Sequence, residues 1–229
     1  MVALYGDQFP EKEMGREISA RYRIPIYDTI AQALCRGGQK LAVDAVLSIA
    51  EQGRYPINDL GQQEYPRKRF FDESVAVMRQ SGRVVPLFND KHLSYRWDWA
   101  REMYATAHEL KLPFMAGSSV PLATRRPVFE LPANARLTKA VAVHGGPLES
   151  YDFHGIELLQ SIVEARAGGE TGVSAVEFFT GEALDTLLTD EGWRPLVDAA
   201  LIAELGKIPD KLGEVGEENA DPPHALRLH

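Results

Sequence analysis

One cysteine, Cys35, stands in 229 residues. That excludes an intramolecular disulfide framework and any zinc site built on several thiolates. No apolar run approaches the roughly 20 residues that cross a bilayer. The opening MVALYGDQFPEKEMG lacks a basic stretch followed by an apolar one, so no secretory signal is expected. Basic residues are in deficit, 25 Lys and Arg against 33 Asp and Glu, for a formal charge of −8. Such a balance argues against binding along a phosphate backbone, and Arg67-Lys68-Arg69 is a short cluster rather than a stripe. The expectation is a cytoplasmic protein with a small-molecule substrate, no nucleic-acid or membrane partner, and homo-oligomerisation left open.

What is present is the composition of a globular chain. Apolar residues make up 45% and charged residues 25%, which is wrong for a disordered protein and enough for one large domain or two small ones. Short apolar runs alternate with amphipathic stretches. Val2 to Tyr5 is a strand candidate, Glu11 to Tyr22 a helix, and Ile24 to Tyr27 a second extended run. Asp28 is placed to cap a helix with Ile30, Ala33 and Leu34 on one face and Gly37-Gly38 at its end. Val43 to Ile49, apolar on both faces, reads as an interior parallel strand. A Gly/Pro-containing loop from Glu51 to about Pro66 follows, and loops of that length are functional or disordered.

Phe71, Val75 and Met78 mark a helical face, and Val84 to Phe88 is a strand weakened by Pro86. Ser94 can cap a helix whose inner face is Ala100, Met103, Ala107 and Leu110, and Phe114 to Gly117 ends the series. This alternation predicts an α/β fold with a mainly parallel sheet. The polar stretch 118–136 then looks like a crossover between domains. Beyond it, Ala140 to His144 and Val173 to Phe179 read as strands, Gly155 to Ala167 as a helix, and Trp193 to Leu201 as an amphipathic helix. Gly213 to Pro223 reads as a mobile acidic loop, and Ala225 to His229 as a strand.

The order of these elements carries a resemblance. VALYGDQFPEKEMGREISARYRIPIYDTIAQAL supplies a strand ending in Asp7, a helix, and Tyr27-Asp28 before the next helix; an Asp44-Ala45-Val46 strand follows. VVPLFNDKHLSYRWDWAREMYATAHELKLPFMAGSS supplies a strand, the turn Asp90-Lys91-His92, a helix and a further strand. In this order the chain resembles the Gfo/Idh/MocA family of sugar and polyol dehydrogenases, as a divergent bacterial branch, over roughly residues 2–119 and weakly beyond. The resemblance implies an NAD- or NADP-dependent oxidoreductase acting on a sugar or polyol.

The resemblance also assigns roles. Asp7 would hold the ribose diol, with Glu51 and Asp90 on the same edge beyond the strand ends, where ligands of doubly wound sheets sit. Lys91 would lie by the nicotinamide and the reacting hydroxyl; an ammonium there stabilises alkoxide charge or relays a proton. His92 stands where the family has proline, and beside Lys91 it could lower the lysine pKa or act as a second acid or base. The family's Asp-x-x-x-His pair falls on His154 with Ser150 at the acid position, which leaves Asp152 or Glu149 to orient the histidine. The plainer alternatives are a turn-forming Asp7, a solvated Lys91, and a His154 bonded to backbone at a helix start.

The family's Gly-x-Gly-x-x-Gly turn belongs about twenty residues before Asp7, and Met1 stands six before it. Gly37-Gly38, Gly145-Gly146 and Gly168-Gly169 do not open such a turn. In the order 3-2-1-4-5-6 the first strand is central. The expectation is therefore an incomplete Rossmann-like parallel sheet with helices on both faces over 1–118, without its first strand. Part of an α+β domain over 119–229 follows, the whole being a fragment of a longer protein. Two alternatives stand beside the oxidoreductase. One is a metal-dependent lyase, isomerase or hydrolase using His92, Asp90, His144, Glu149, Asp152 and His154. The other is a non-catalytic sugar-binding subunit whose Tyr95, Trp97 and Trp99 stack on a ring, although at that spacing they more readily bury a helix start.

Overall fold

The computed structural model describes residues 1–209 and 222–229. Two compact units divide the chain, Met1–Gly117 and Ser118–His229. The first is mixed α/β with strands β1 (Leu4–Tyr5), β2 (Ile26–Tyr27), β3 (Val46–Ser48), β4 (Leu87–Asp90) and β5 (Phe114–Gly117). Its helices are α1 (Gly15–Tyr22), α2 (Ile30–Cys35), α3 (Arg67–Ser81) and α4 (Trp97–Glu109). The strands form two parallel sheets, β1-β2 and β3-β4-β5, in keeping with a Rossmann-like fold. Leu4 lies opposite Ile26, Val46 opposite Leu87, and Leu87 opposite Phe114.

Periodicity located the core. Phe71, Val75 and Met78 of α3 and Met103 and Ala107 of α4 are all buried, with Leu87 of β4 and Ile30 and Leu34 of α2 in the same cluster. Boundaries moved where side chains satisfy backbone donors. Helix α1 begins at Gly15, not Glu11, because the Glu13 carboxylate accepts from the Gly15 and Arg16 amides. Helix α2 is capped by Thr29, not Asp28: Thr29 Oγ1 accepts from Gln32 N at 3.1 Å, and Gln32 Oε1 reaches back to the Asp28 amide at 3.2 Å. Ser94 bonds the Arg96 amide instead of capping α4, which starts at Trp97.

Strand β3 is shorter than its apolar run and lies at the edge of its sheet, not inside it. Leu47 and Ile49 are 64% and 57% exposed. Pro86 sits just outside β4, where its carbonyl accepts from Val46 N at 2.8 Å and its missing N–H costs the ladder nothing. The long 51–66 loop is ordered. Ile57 bridges Gln63 antiparallel, and Glu64 N donates to Pro56 O at 2.8 Å around a tip turned by Asn58 and by Gly61 at φ 80°.

The second unit opens with a single 3-10 turn, Val120–Leu122, followed by α5 (Leu148–Val163), β6 (Val176–Thr180), α6 (Gly181–Thr189), α7 (Arg194–Leu205) and β7 (His224–Leu228). β6 and β7 pair antiparallel, with Phe178 opposite Leu226. The expected strand at 140–144 does not form: these residues have no ladder partner among the described residues. Helix α5 starts at Leu148 rather than Gly155, so Asp152 and His154 are both inside it. Most of the expected mobile loop, 213–223, lies outside the described residues. Among the described residues, no helix is long and apolar enough to cross a membrane.

Candidate functional site

At the carboxyl end of β4 the first unit brings Asp90, Lys91 and His92 together with Glu51 and Arg67, while Asp7, after β1, has partners of its own. Lys91 adopts a left-handed conformation, φ 69°, and its amide donates to Gly117 O at 3.0 Å. Buried Asn89 ties the turn by donating to the carbonyls of Asp90, Lys91 and His92 at 3.3, 3.4 and 3.1 Å. Asn89 thus fixes the turn from inside, a role that no sequence pattern marks.

The Lys91 ammonium lies 2.9 Å from Asp90 Oδ2 and 3.1 Å from Glu51 Oε1. Burial pulls its pKa down, but hydrogen bonds and charge from Asp90 and Glu51 win and hold it above the ordinary lysine value. The expected lowering by His92 is therefore overturned. His92 Nε2 instead meets Arg67 Nη1 at 3.2 Å. A guanidinium only donates, so this nitrogen accepts and the ring hydrogen sits on Nδ1. Lys91 is suited to holding an oxygen that gains negative charge, not to removing a proton.

Arg67, the first residue of α3, is 2% exposed. It reaches Glu51 at 3.6 Å and stacks over Tyr65 at 5.0 Å, and its Nε has no partner among the described residues. Burial pulls its pKa down while Glu51, Tyr65 and Asp90 pull the other way. Asp7 accepts from Tyr5 Oη at 2.5 Å and Tyr55 Oη at 2.8 Å and pairs with Arg69 at 2.7 Å.

In the second unit the expected Asp152–His154 pair is not formed. Residues two apart on a helix point about 200° apart. Asp152, 8% exposed, accepts from His224 Nε2 at 2.8 Å and lies 3.4 Å from His144 Nε2. His154 turns to Ser118 and Glu157. Ser118 Oγ donates to Glu157 Oε2 at 2.5 Å, and His154 Nδ1 lies 3.3 Å from Ser118 Oγ and 3.6 Å from Glu157. With the serine hydrogen directed at the carboxylate, Ser118 Oγ accepts from Nδ1–H, and Nε2 carries the lone pair. Glu157 thus orients His154 through Ser118, a role expected of Asp152 or Glu149. An acid three residues on along the helix was the signal that could have found it.

Among the described residues no set of three His, Cys, Asp or Glu side chains could hold an ion, the contact of His144 with Asp152 notwithstanding. A dinucleotide does not fit the residues present. Glu13 takes the Gly15 and Arg16 amides of α1 and Thr29 takes the Gln32 amide of α2, and Asp7 is engaged by three donors, so a ribose diol would have to displace them. Tyr95 and Trp99 pack edge to face at 5.5 Å, whereas Trp97 is 78% exposed and buries no helix start. No protein-family model matches the chain, and no curated protein matches it.

Proposed function

We propose that the chain acts on a hydroxyl of a sugar or polyol, as in the Gfo/Idh/MocA-like oxidoreductases whose element order it resembles. The observation that carries this is the Glu157–Ser118–His154 relay. It leaves the His154 Nε2 lone pair available to take a hydroxyl proton, with Glu157 stabilising the imidazolium that results. Within the first unit, Lys91, held charged by Asp90 and Glu51, is a cation of the kind that steadies an oxygen gaining negative charge. NAD or NADP is the acceptor the resemblance implies. Because the residues present do not fit a dinucleotide, no step is derived through it.

The architecture supports the same view. Sheets β1-β2 and β3-β4-β5 are built from strands alternating with helices, as in doubly wound sheets. Both sheets are parallel, and the edges of β1 and β3 carry no ladder partner among the described residues. Exposed Leu47 and Ile49 on and just after β3 fit a position meant for the interior.

Calorimetric titration with NADH and NADPH is expected to show binding no tighter than the millimolar range, and micromolar binding would refute the poor fit of Asp7 and the helix starts. With millimolar NAD or NADP and a panel of polyols, Glu157→Gln and His154→Ala are each expected to lower kcat by about 10²-fold or more. An unchanged rate in His154→Ala removes the relay from the chemistry. Failure of every polyol to reduce either nucleotide leaves a second reading, a non-redox sugar-binding protein, which the engaged Asp7 favours.

A further inference from the structure

We propose that a groove of the first unit, between the 55–66 hairpin, the first turns of α3 and the start of α4, binds a small organic cation of the trimethylammonium class. Its methyl groups would lie against aromatic faces and its charge opposite the Glu64 carboxylate. The groove measures about 560 Å³ and is walled by Tyr55, Tyr65, Tyr95 and Trp99, with Glu64 among them. Small-molecule sites span roughly 300–1,000 Å³. All four rings and Glu64 are half-buried. Tyr55 meets Tyr65 edge to face at 5.9 Å and 68°, and Tyr95 meets Trp99 at 5.5 Å and 66°. Rings so steeply inclined to one another form the walls of a cage, and each face carries negative charge density that attracts a cation.

Charge points the same way. Lys68 is held between Asp72 at 2.6 Å and Glu102 at 3.2 Å, and Arg69 between Asp7 at 2.7 Å and Glu73 at 3.2 Å. Both groove cations are thus neutralised, while Glu64 forms no ion pair among the described residues. Burial pushes the Tyr95 hydroxyl pKa up and the Glu64 charge adds to that, so the field of the carboxylate reaches the cage wall. Excess carboxylate repels an anion and draws in a cation, as does the formal charge of −8 on the whole chain. Two rings already hold cations: Arg96 lies over Trp99 at 4.5 Å and Arg67 over Tyr65 at 5.0 Å. Each of these guanidiniums is paired with an acid, Asp98 and Glu51, and Tyr55 and Tyr95 carry no such cation among the described residues. Hydrogen bonding selects the methylated class. A primary ammonium brings three N–H donors that one carboxylate and ring faces cannot all satisfy once water is expelled. A trimethylammonium group has no N–H and presents its spread charge through methyl contacts with the rings.

Binding here uses none of the residues placed in the hydroxyl chemistry above, so it stands or falls apart from that reading. The test is saturation-transfer NMR on the full chain at constant ionic strength. Choline and tetramethylammonium are the probes, and 3,3-dimethylbutan-1-ol is the uncharged isostere of choline. Saturable transfer to the N-methyl protons is expected, with an apparent Kd of about 1 mM or tighter, and with the alcohol bound roughly tenfold more weakly or worse. Trp99→Ala should abolish the transfer, whereas Trp99→Phe should keep it. In Glu64→Gln the apparent Kd for choline should rise roughly tenfold. Equal affinity for the alcohol, an unchanged choline affinity in Glu64→Gln, or no saturable transfer at about 50 mM choline overturns the proposal. If circular dichroism shows Trp99→Ala to be unfolded, Glu64→Gln, which keeps the shape of the side chain, and the uncharged alcohol still decide it.

Discussion

Asp7 has traded water for three protein donors: two phenol hydroxyls, from Tyr5 and Tyr55, and the Arg69 guanidinium. Burial by itself raises a carboxyl pKa, but here the hydrogen bonds from Tyr5, Arg69 and Tyr55 and the Arg69 charge outweigh it and hold the group below its ordinary value. The unfolded chain therefore binds this proton more readily. The stabilisation is present above the unfolded value, near 4, and is lost as pH falls through the lower folded one. Urea unfolding of the wild-type protein should lose this contribution between about pH 5 and pH 2. Asp7→Asn should cost about 1–3 kcal/mol at pH 7 and flatten that acid dependence. An unaltered acid limb in the variant would show that Asp7 is not the group responsible. The position of Asp7 after a strand was legible in the sequence. Its partners were not, because Tyr55 and Arg69 reach it from a hairpin and a helix far along the chain.

Helix α5 shows how one glycine can mislead and then explain. Gly155 looked like a helix start, yet it lies in the second turn, buried, with the His144 imidazole against it. A Cβ at that position would stand 2.3 Å from His144 Cδ2. Alanine is the better helix former by about 1 kcal/mol, so propensity alone predicts that Gly155→Ala stabilises the protein. Packing predicts the opposite, a loss of about 1–3 kcal/mol, with His144 driven from Asp152 and its imidazole resonances shifted in NMR spectra. A stabilised variant with unmoved His144 resonances would refute the packing account. The same helix shows why side-chain partners are hard to read from sequence. Which acid meets His154 depends on which side of the helix each residue faces, and that follows only once the start at Leu148 is known.

Across the whole molecule, burial is uneven. Among the described residues, Leu184 and Leu201 are the buried apolar side chains of the second unit, while the first holds Phe71, Met78, Leu87, Met103 and their neighbours. Val176 and Phe178 of β6 are 56% and 53% exposed. Slowest hydrogen exchange is therefore expected in α3 and β4, with β6 and β7 exchanging faster at the same pH. Phe71→Ala should cost about 3–5 kcal/mol and accelerate α3 and β4 selectively. Protection in β6 equal to that of α3 would contradict this division. By itself the sequence determined the α/β alternation, the parallel β4 and β5, and the buried faces of α3 and α4. Hydrophobic period and strand–helix order are local properties of the chain. Tertiary structure alone decided that β3 is an edge strand and that 140–144 pairs with nothing among the described residues. It also decided that Asp152 meets His224 while His154 meets Glu157 through Ser118. Those outcomes depend on which distant groups arrive within hydrogen-bonding reach, and no periodicity encodes that.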